Sequence, residues 1–289
     1  MQHKYTRALV AAVAVTTLWS SSFVLMKMGL EELGPLSIAA YRYGLASLLL
    51  LAVSGGKASV RDVPWRWYGV LGLTGFALAQ GLQVVGLYYM DAITVSFLLN
   101  LTPMFVLLLG IVFLDERPTA LQCGGAAVVM AGLAVFFRGQ YGFVPAGVVV
   151  TLVSGISWAA YLVISRYHVR GGSVSMAQFT AYPMAMGAAV LLVAASVIEG
   201  VPSLSVRSVA LIAWLGVLNT ALAFFLWNWA LQKIEAYRLS VLQNTMLFQI
   251  TLFAAVFLGE TVTLSKIAGI VIVATGVAVV QARAGKKRA

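Results

Sequence analysis

The stretch Phe113-Leu114-Asp115-Glu116-Arg117, followed by Gly125 and Gly132, decides how this chain folds, because its pattern occurs twice. Leu258 and Glu260, followed by Gly269 and Gly276, repeat it 144 residues later. The same offset carries Leu71-Gly72 onto Leu215-Gly216, Leu87 onto Leu231 and Asn100 onto Asn244. An offset of 139 carries Trp19 onto Trp158 and Lys27 onto Arg166. Working outward from these anchors, each copy holds five apolar segments of about 20 residues, the length that crosses the hydrocarbon core of a bilayer. They lie near 8–28, 36–54, 67–89, 93–113 and 119–137, then 144–165, 175–197, 208–231, 239–258 and 263–282.

The two copies divide the chain at 1–138 and 139–289. A unit with an odd number of spans, repeated in one membrane, must insert its second copy upside down. The expected fold is an all-α integral membrane protein of ten transmembrane helices, arranged as two inverted five-helix repeats. Repeats related in this way are associated with alternating-access transporters.

Composition agrees with a lipid solvent. Hydrophobic residues make up 61% of the 289 and charged residues 10%, with a mean hydropathy of +0.95. A soluble domain carries about 25% charged residues. The net charge of +10 is not a nucleic-acid signal, because the basic residues sort by side. With the N-terminus inside, fourteen of the nineteen fall in cytoplasmic segments, four fall outside, and Arg42 lies within a span. The positive-inside rule then places both termini in the cytoplasm of a cell inner membrane. The first apolar segment is too long for a signal peptide and is read as a retained span.

A transport site is expected near mid-bilayer, between the repeats. The polar and aromatic residues at that depth are Trp19, Ser20 and Ser21 on span one, Gln80 and Gln83 on span three, and Asn100 and Thr102 on span four. The second half offers Trp158 and Tyr161 on span six, Tyr182 on span seven, Asn219 and Trp227 on span eight, and Asn244 and Gln249 on span nine. Aromatic rings can stack on a ligand while amides fix its polar end. Equally, such groups can serve only to bond neighbouring helices. Asn100 and Asn244 are expected on opposite sides of a central cavity. Gln80 and Gln83 should share one face, with Gly81 leaving room beside them. Pro103 is a candidate hinge, or else a static kink. Lys27 is expected to snorkel to the interface. Arg42 could attract a substrate carboxylate or bond helix-end carbonyls.

The glycine pairs spaced by seven residues should let another helix approach closely, within the chain or in a homodimer. All nine acidic residues fall at or beyond span ends, so the relay equipment of a proton pump is missing from the midspans. No cofactor or metal motif is present, and the single Cys123 forms no Cys/His cluster. HExxH, GxSxG and phosphate-loop patterns are lacking, which argues against an enzyme. The only hint of an intramembrane transferase is His168 between Arg166 and Arg170, which a basic cytoplasmic loop explains more simply.

Leu18-Trp19-Ser20-Ser21-Ser22-Phe23 with Lys27 resembles the opening of an EamA-type repeat of the drug/metabolite transporter superfamily. Ala39-Ala40-Tyr41-Arg42 is similar to that family's arginine-bearing second helix. Leu101-Thr102-Pro103-Met104-Phe105, leading to Phe113–Arg117, resembles its fourth helix and acidic end. Gly125 and Gly132 match the glycines of the fifth. The second copy departs at Leu247, where alignment with Pro103 expects proline. The resemblance covers nearly the whole chain and implies a ten-helix inner-membrane transporter, often an exporter of amino acids or other small metabolites. Multidrug efflux and a non-transporting membrane protein are the alternatives.

Overall fold

A computed structural model describes residues 2–54, 64–114, 119–139, 144–169, 176–231, 234 and 242–281. Every regular element among them is helical. Ten helical spans can be followed: α1 (Gln2–Gly29), α2 (Pro35–Val53), α3 (Trp65–Tyr89), α4 (Ala92–Leu114), α5 (Ala120–Phe136), α6 (Pro145–Val169), α7 (Met176–Ile198), α8 (Val206–Leu231), α9 (Leu242–Phe257) and α10 (Leu264–Gln281). Eight are long and apolar enough to cross a membrane, and α5 and α9 are shorter apolar helices. These bounds follow the expected spans closely.

The two halves share irregularities as well as helices. Span α3 winds as a π-helix over Gly72–Gly81, and α8 does so over Val217–Leu222, the matching stretch of the second copy. Span α4 breaks between Leu99 and Thr102, and α9 turns at Thr245 before Met246. Pro103 has no N–H to offer the carbonyl of Leu99. The Thr102 hydroxyl supplies the missing donor at 2.7 Å. Pro103 therefore sits in the first turn of a new helix segment, where its missing N–H leaves the least unsatisfied. At the second break the Thr245 hydroxyl donates to Leu242 O at 2.6 Å, with no proline involved.

The four repeat glycines bring α5 and α10 together along their length within the chain. A Cβ on Gly125 would lie 3.0 Å from Gly276 O, and one on Gly276 would lie 2.9 Å from Gly125 O. One on Gly269 would meet Phe136 Cβ at 2.5 Å. Both helices begin at an N-cap threonine: Thr119 accepts from the Gln122 N–H and Thr263 from the Lys266 N–H.

Candidate functional site

At mid-span, rings from four helices form a continuous aromatic wall. Trp158 stacks on Tyr161 with centroids 4.8 Å apart, and Tyr161 meets Phe76 edge-on at 5.7 Å. Phe76 continues to Phe224 at 6.4 Å, Phe224 to Trp19 at 5.5 Å, and Trp19 to Trp227 at 5.1 Å. The wall thus joins α6, α3, α8 and α1. Gly75 is the residue that admits Tyr161, since a Cβ there would lie 2.3 Å from the tyrosine ring. Trp19 and Trp158 remain partly exposed, as do Gln80, Gln83, Asn100 and Gln249. Tyr161 covers one face of the Trp158 indole, and the Trp19 indole is held between Phe224 and Trp227.

The polar groups divide into held and free. Gln249 accepts from the Ser20 hydroxyl at 3.0 Å and donates to Thr16 Oγ1 at 3.3 Å, tying α9 to α1. Gln80 accepts from the Tyr43 hydroxyl at 2.7 Å. Asn219 donates to Leu18 O and, at 2.9 Å, to Ser21 Oγ. The Gln83 amide makes no hydrogen bond among the described residues. Asn100 Oδ1 lies buried without a partner at the α4 break. Buried amide oxygens are seldom left unpaired; Asn219 Oδ1 is unpaired too, but Asn219 is fully buried, so the partly exposed Asn100 is the better placed of the two to receive a donor.

Other expected site residues lie elsewhere. Tyr182 packs on Trp65 and Tyr68, in a separate aromatic group at the start of α3. Asn244 donates to Gln281 Oε1 at 3.0 Å, a contact between α9 and α10, so it does not mirror the unpartnered Asn100. Arg42 is 4% exposed and donates from Nε to Thr220 Oγ1 at 2.7 Å, with Met26 Sδ 3.1 Å from a terminal nitrogen. It braces α2 against the π-turn of α8. The space expected beside Gly81 is taken by Leu191. The side chains of Glu116, Arg166, His168 and Arg170 fall outside the described residues.

Sequence reasoning did not foresee the polar cluster at the end of the bundle away from the chain termini. Glu260 accepts from the amides of Ala92 and Ile93 at 2.6 and 3.0 Å. Those are free donors at the positive end of α4. Lys27 does not reach outward. Its ammonium donates to Leu87 O and Met90 O at 2.6 and 2.8 Å, closing the last turn of α3. Lys266 donates to Thr261 O at 3.0 Å and lies 3.8 Å from Asp91. Burial pushes the Glu260 carboxyl above its ordinary range, against the pull of the two amides and of Lys27. Glu199 treats α2 as Glu260 treats α4, accepting from the Leu36 and Ser37 amides at 2.8 and 2.9 Å. The signal available in sequence was the acid at equal positions of both copies, Glu116 and Glu260.

The model of the EamA-like transporter family matches residues 6–138 and again 145–281. The chain belongs to the EamA-like transporter family. A transporter of Archaeoglobus fulgidus without assigned substrate is 30% identical over 263 residues, covering 85% of this chain and 86% of its own. A probable terminal-alkyne amino-acid exporter of Streptantibioticus cattleyicolor is 29% identical, covering 80% and 79%. A probable amino-acid metabolite efflux pump of Salmonella typhimurium is 25% identical, covering 92% and 91%. A solved crystal structure with 18% identity has the same fold, with a TM-score of 0.68 over 95% of this chain and 96% of its own. As an EamA-like protein, the chain is a multi-pass membrane transporter and not an enzyme.

Proposed function

We propose that this EamA-like protein carries a small zwitterionic metabolite, an amino acid in the first instance, outward across the cell inner membrane. It would do so by alternating access of two inverted repeats, with both termini in the cytoplasm. The observation that carries this reading is the aromatic wall, with unpaired amide groups on the span that supplies Phe76 and on α4, which packs against α6, and no carboxylate in the mid-spans. Flat rings accept an apolar side chain, and Gln83 and Asn100 meet a polar end. The absence of a mid-span acid in the sequence disfavours a dedicated cation site. The names of the Streptantibioticus and Salmonella relatives support an amino-acid substrate.

Energetically the reading is facilitated diffusion or exchange. Uphill movement needs a coupled species that binds one side of the cycle better, and the mid-spans hold no Asp, Glu or His. The test is protein-dependent uptake of a labelled amino-acid panel into proteoliposomes, with an amphipathic drug panel beside it. Uptake of at least one amino acid supports the reading. Uptake of drugs alone would replace it with multidrug efflux.

A further inference from the structure

Packing along α4 is asymmetric. Ala92 through Leu98 are buried without exception, whereas from Leu99 to Leu109 only Leu101 is. Span α4 is therefore tightly packed at the end where Glu260 sits and more loosely packed past its break. Glu260 reaches α4 because α9 ends in a left-handed Gly259, φ 66°, and its own N–H folds back to Ala254 O at 3.2 Å. It lands on the helix that carries Asn100. Lys27 stands on α1, two turns beyond Trp19, and its acceptors, Leu87 on α3 and Met90 just past its end, lie four and seven residues beyond Gln83. The cluster thus caps the three spans that contribute Trp19, Gln83 and Asn100 to the candidate site. Glu199, by contrast, joins α2 to the end of α7, away from those spans.

We propose that Glu260, with Lys27 and the amides that open α4, is the gate at the end of the bundle away from the termini, closed in this structure. The inference rests on the transport reading. A carboxylate seated on free amides is a directional contact that is either made or broken. When the path opens to that side, Glu260 leaves Ala92 and Ile93, and water takes its place at both. The sequence repeats the ingredients: Glu116 corresponds to Glu260, Glu235-Ala236 to Asp91-Ala92, and Arg166 to Lys27. Those positions fall outside the described residues, and the gate proposed is the one at Glu260.

The test uses the full-length protein with Cys123→Ser and a reporter Gln83→Cys, labelled by a membrane-impermeant maleimide in vesicles of either orientation. With Glu260 intact, labelling is expected from the face that bears the termini. With Glu260→Ala, labelling from the opposite face is expected to rise several-fold. Exchanging the charges, Lys27→Glu with Glu260→Lys, should leave that face open, because the α4 amides need an anion. Unchanged opposite-face labelling in Glu260→Ala, or closure restored by the exchange, would overturn the proposal. A second measurement keeps Glu260 in place: Asp91→Cys with Thr261→Cys, bridged by a short bifunctional thiol reagent. Bridging should stop flux, and release of the bridge should restore it. Failure to bridge, or full flux through the bridged protein, also overturns the gate. Labelling needs no substrate, so it decides the gate even if no amino acid proves to be carried.

Discussion

At the scale of single residues, the structure separates side chains that a span-by-span reading treats alike. Asn100 and Asn244 hold equivalent positions in sequence, yet one leaves a buried oxygen unpaired and the other bonds Gln281. Asn100→Ala is therefore expected to lower flux with little change in folded protein. Asn244→Ala should lower thermal stability instead, by about 0.6–2 kcal/mol for a lost contact between membrane helices. Flux and melting curves on both variants check the split, and equal effects on both readouts would contradict it. Trp158→Ala removes a stacked ring from the wall. A ring contact of this kind contributes about 0.5–1.5 kcal/mol beyond its buried area, so the apparent affinity for substrate should weaken about twofold to tenfold. Arg42 is a brace: Thr220→Val leaves its buried guanidinium without its shortest partner. That should cost about 1–3 kcal/mol of stability and leave substrate affinity near normal in a direct binding measurement.

Elements carry the next set of constraints. The α5–α10 seam is built on glycine, with backbone oxygens about where side chains would otherwise sit. Gly276→Leu should destabilise by at least about 1–3 kcal/mol through overpacking, seen as loss of monodisperse protein after extraction. The break in α4 is a different matter. Because α9 breaks at the matching place with Leu247 where proline would stand, a break there does not require proline. Pro103→Ala is expected to retain transport, and Thr102→Val, which strips Leu99 O of its donor, to impair it more. Flux of the two variants side by side checks the order. These features mark where sequence reading ran out. Apolar length and the repeat fixed ten helices to within a few residues, because burial in lipid demands about the same length everywhere. The π-turns in α3 and α8 were not legible. Gln80 lies within the first of these and accepts from Tyr43, while Gln83 lies just past it. Lys27 misled too: its snorkelling reach was clear from its position, but the acceptors on α3 come from another span.

For the whole molecule, the legible part was the membrane class and four of the six rings of the wall: Trp19, Trp158, Tyr161 and Trp227. Phe76 and Phe224 escaped because phenylalanine in a lipid-solvated chain carries no sign of what it faces. Glu260 escaped because an acid at a span end reads as solvated. The proposed pair of inverted repeats carries a topology prediction. Reporter fusions at Ala289 and at the loop near Gln140 should report opposite sides of the membrane, with Ala289 inside. A common side would contradict two inverted five-span repeats. The central claim, that a small zwitterion passes through one alternating site without proton drive, is met most directly by counterflow in proteoliposomes. Vesicles preloaded with an unlabelled amino acid should draw in the labelled one transiently above equilibrium. The overshoot should be the same with and without an imposed pH gradient at zero membrane potential, and reduced in Trp158→Ala. Accumulation that tracks the pH gradient, or flux indifferent to preloading, would contradict the account.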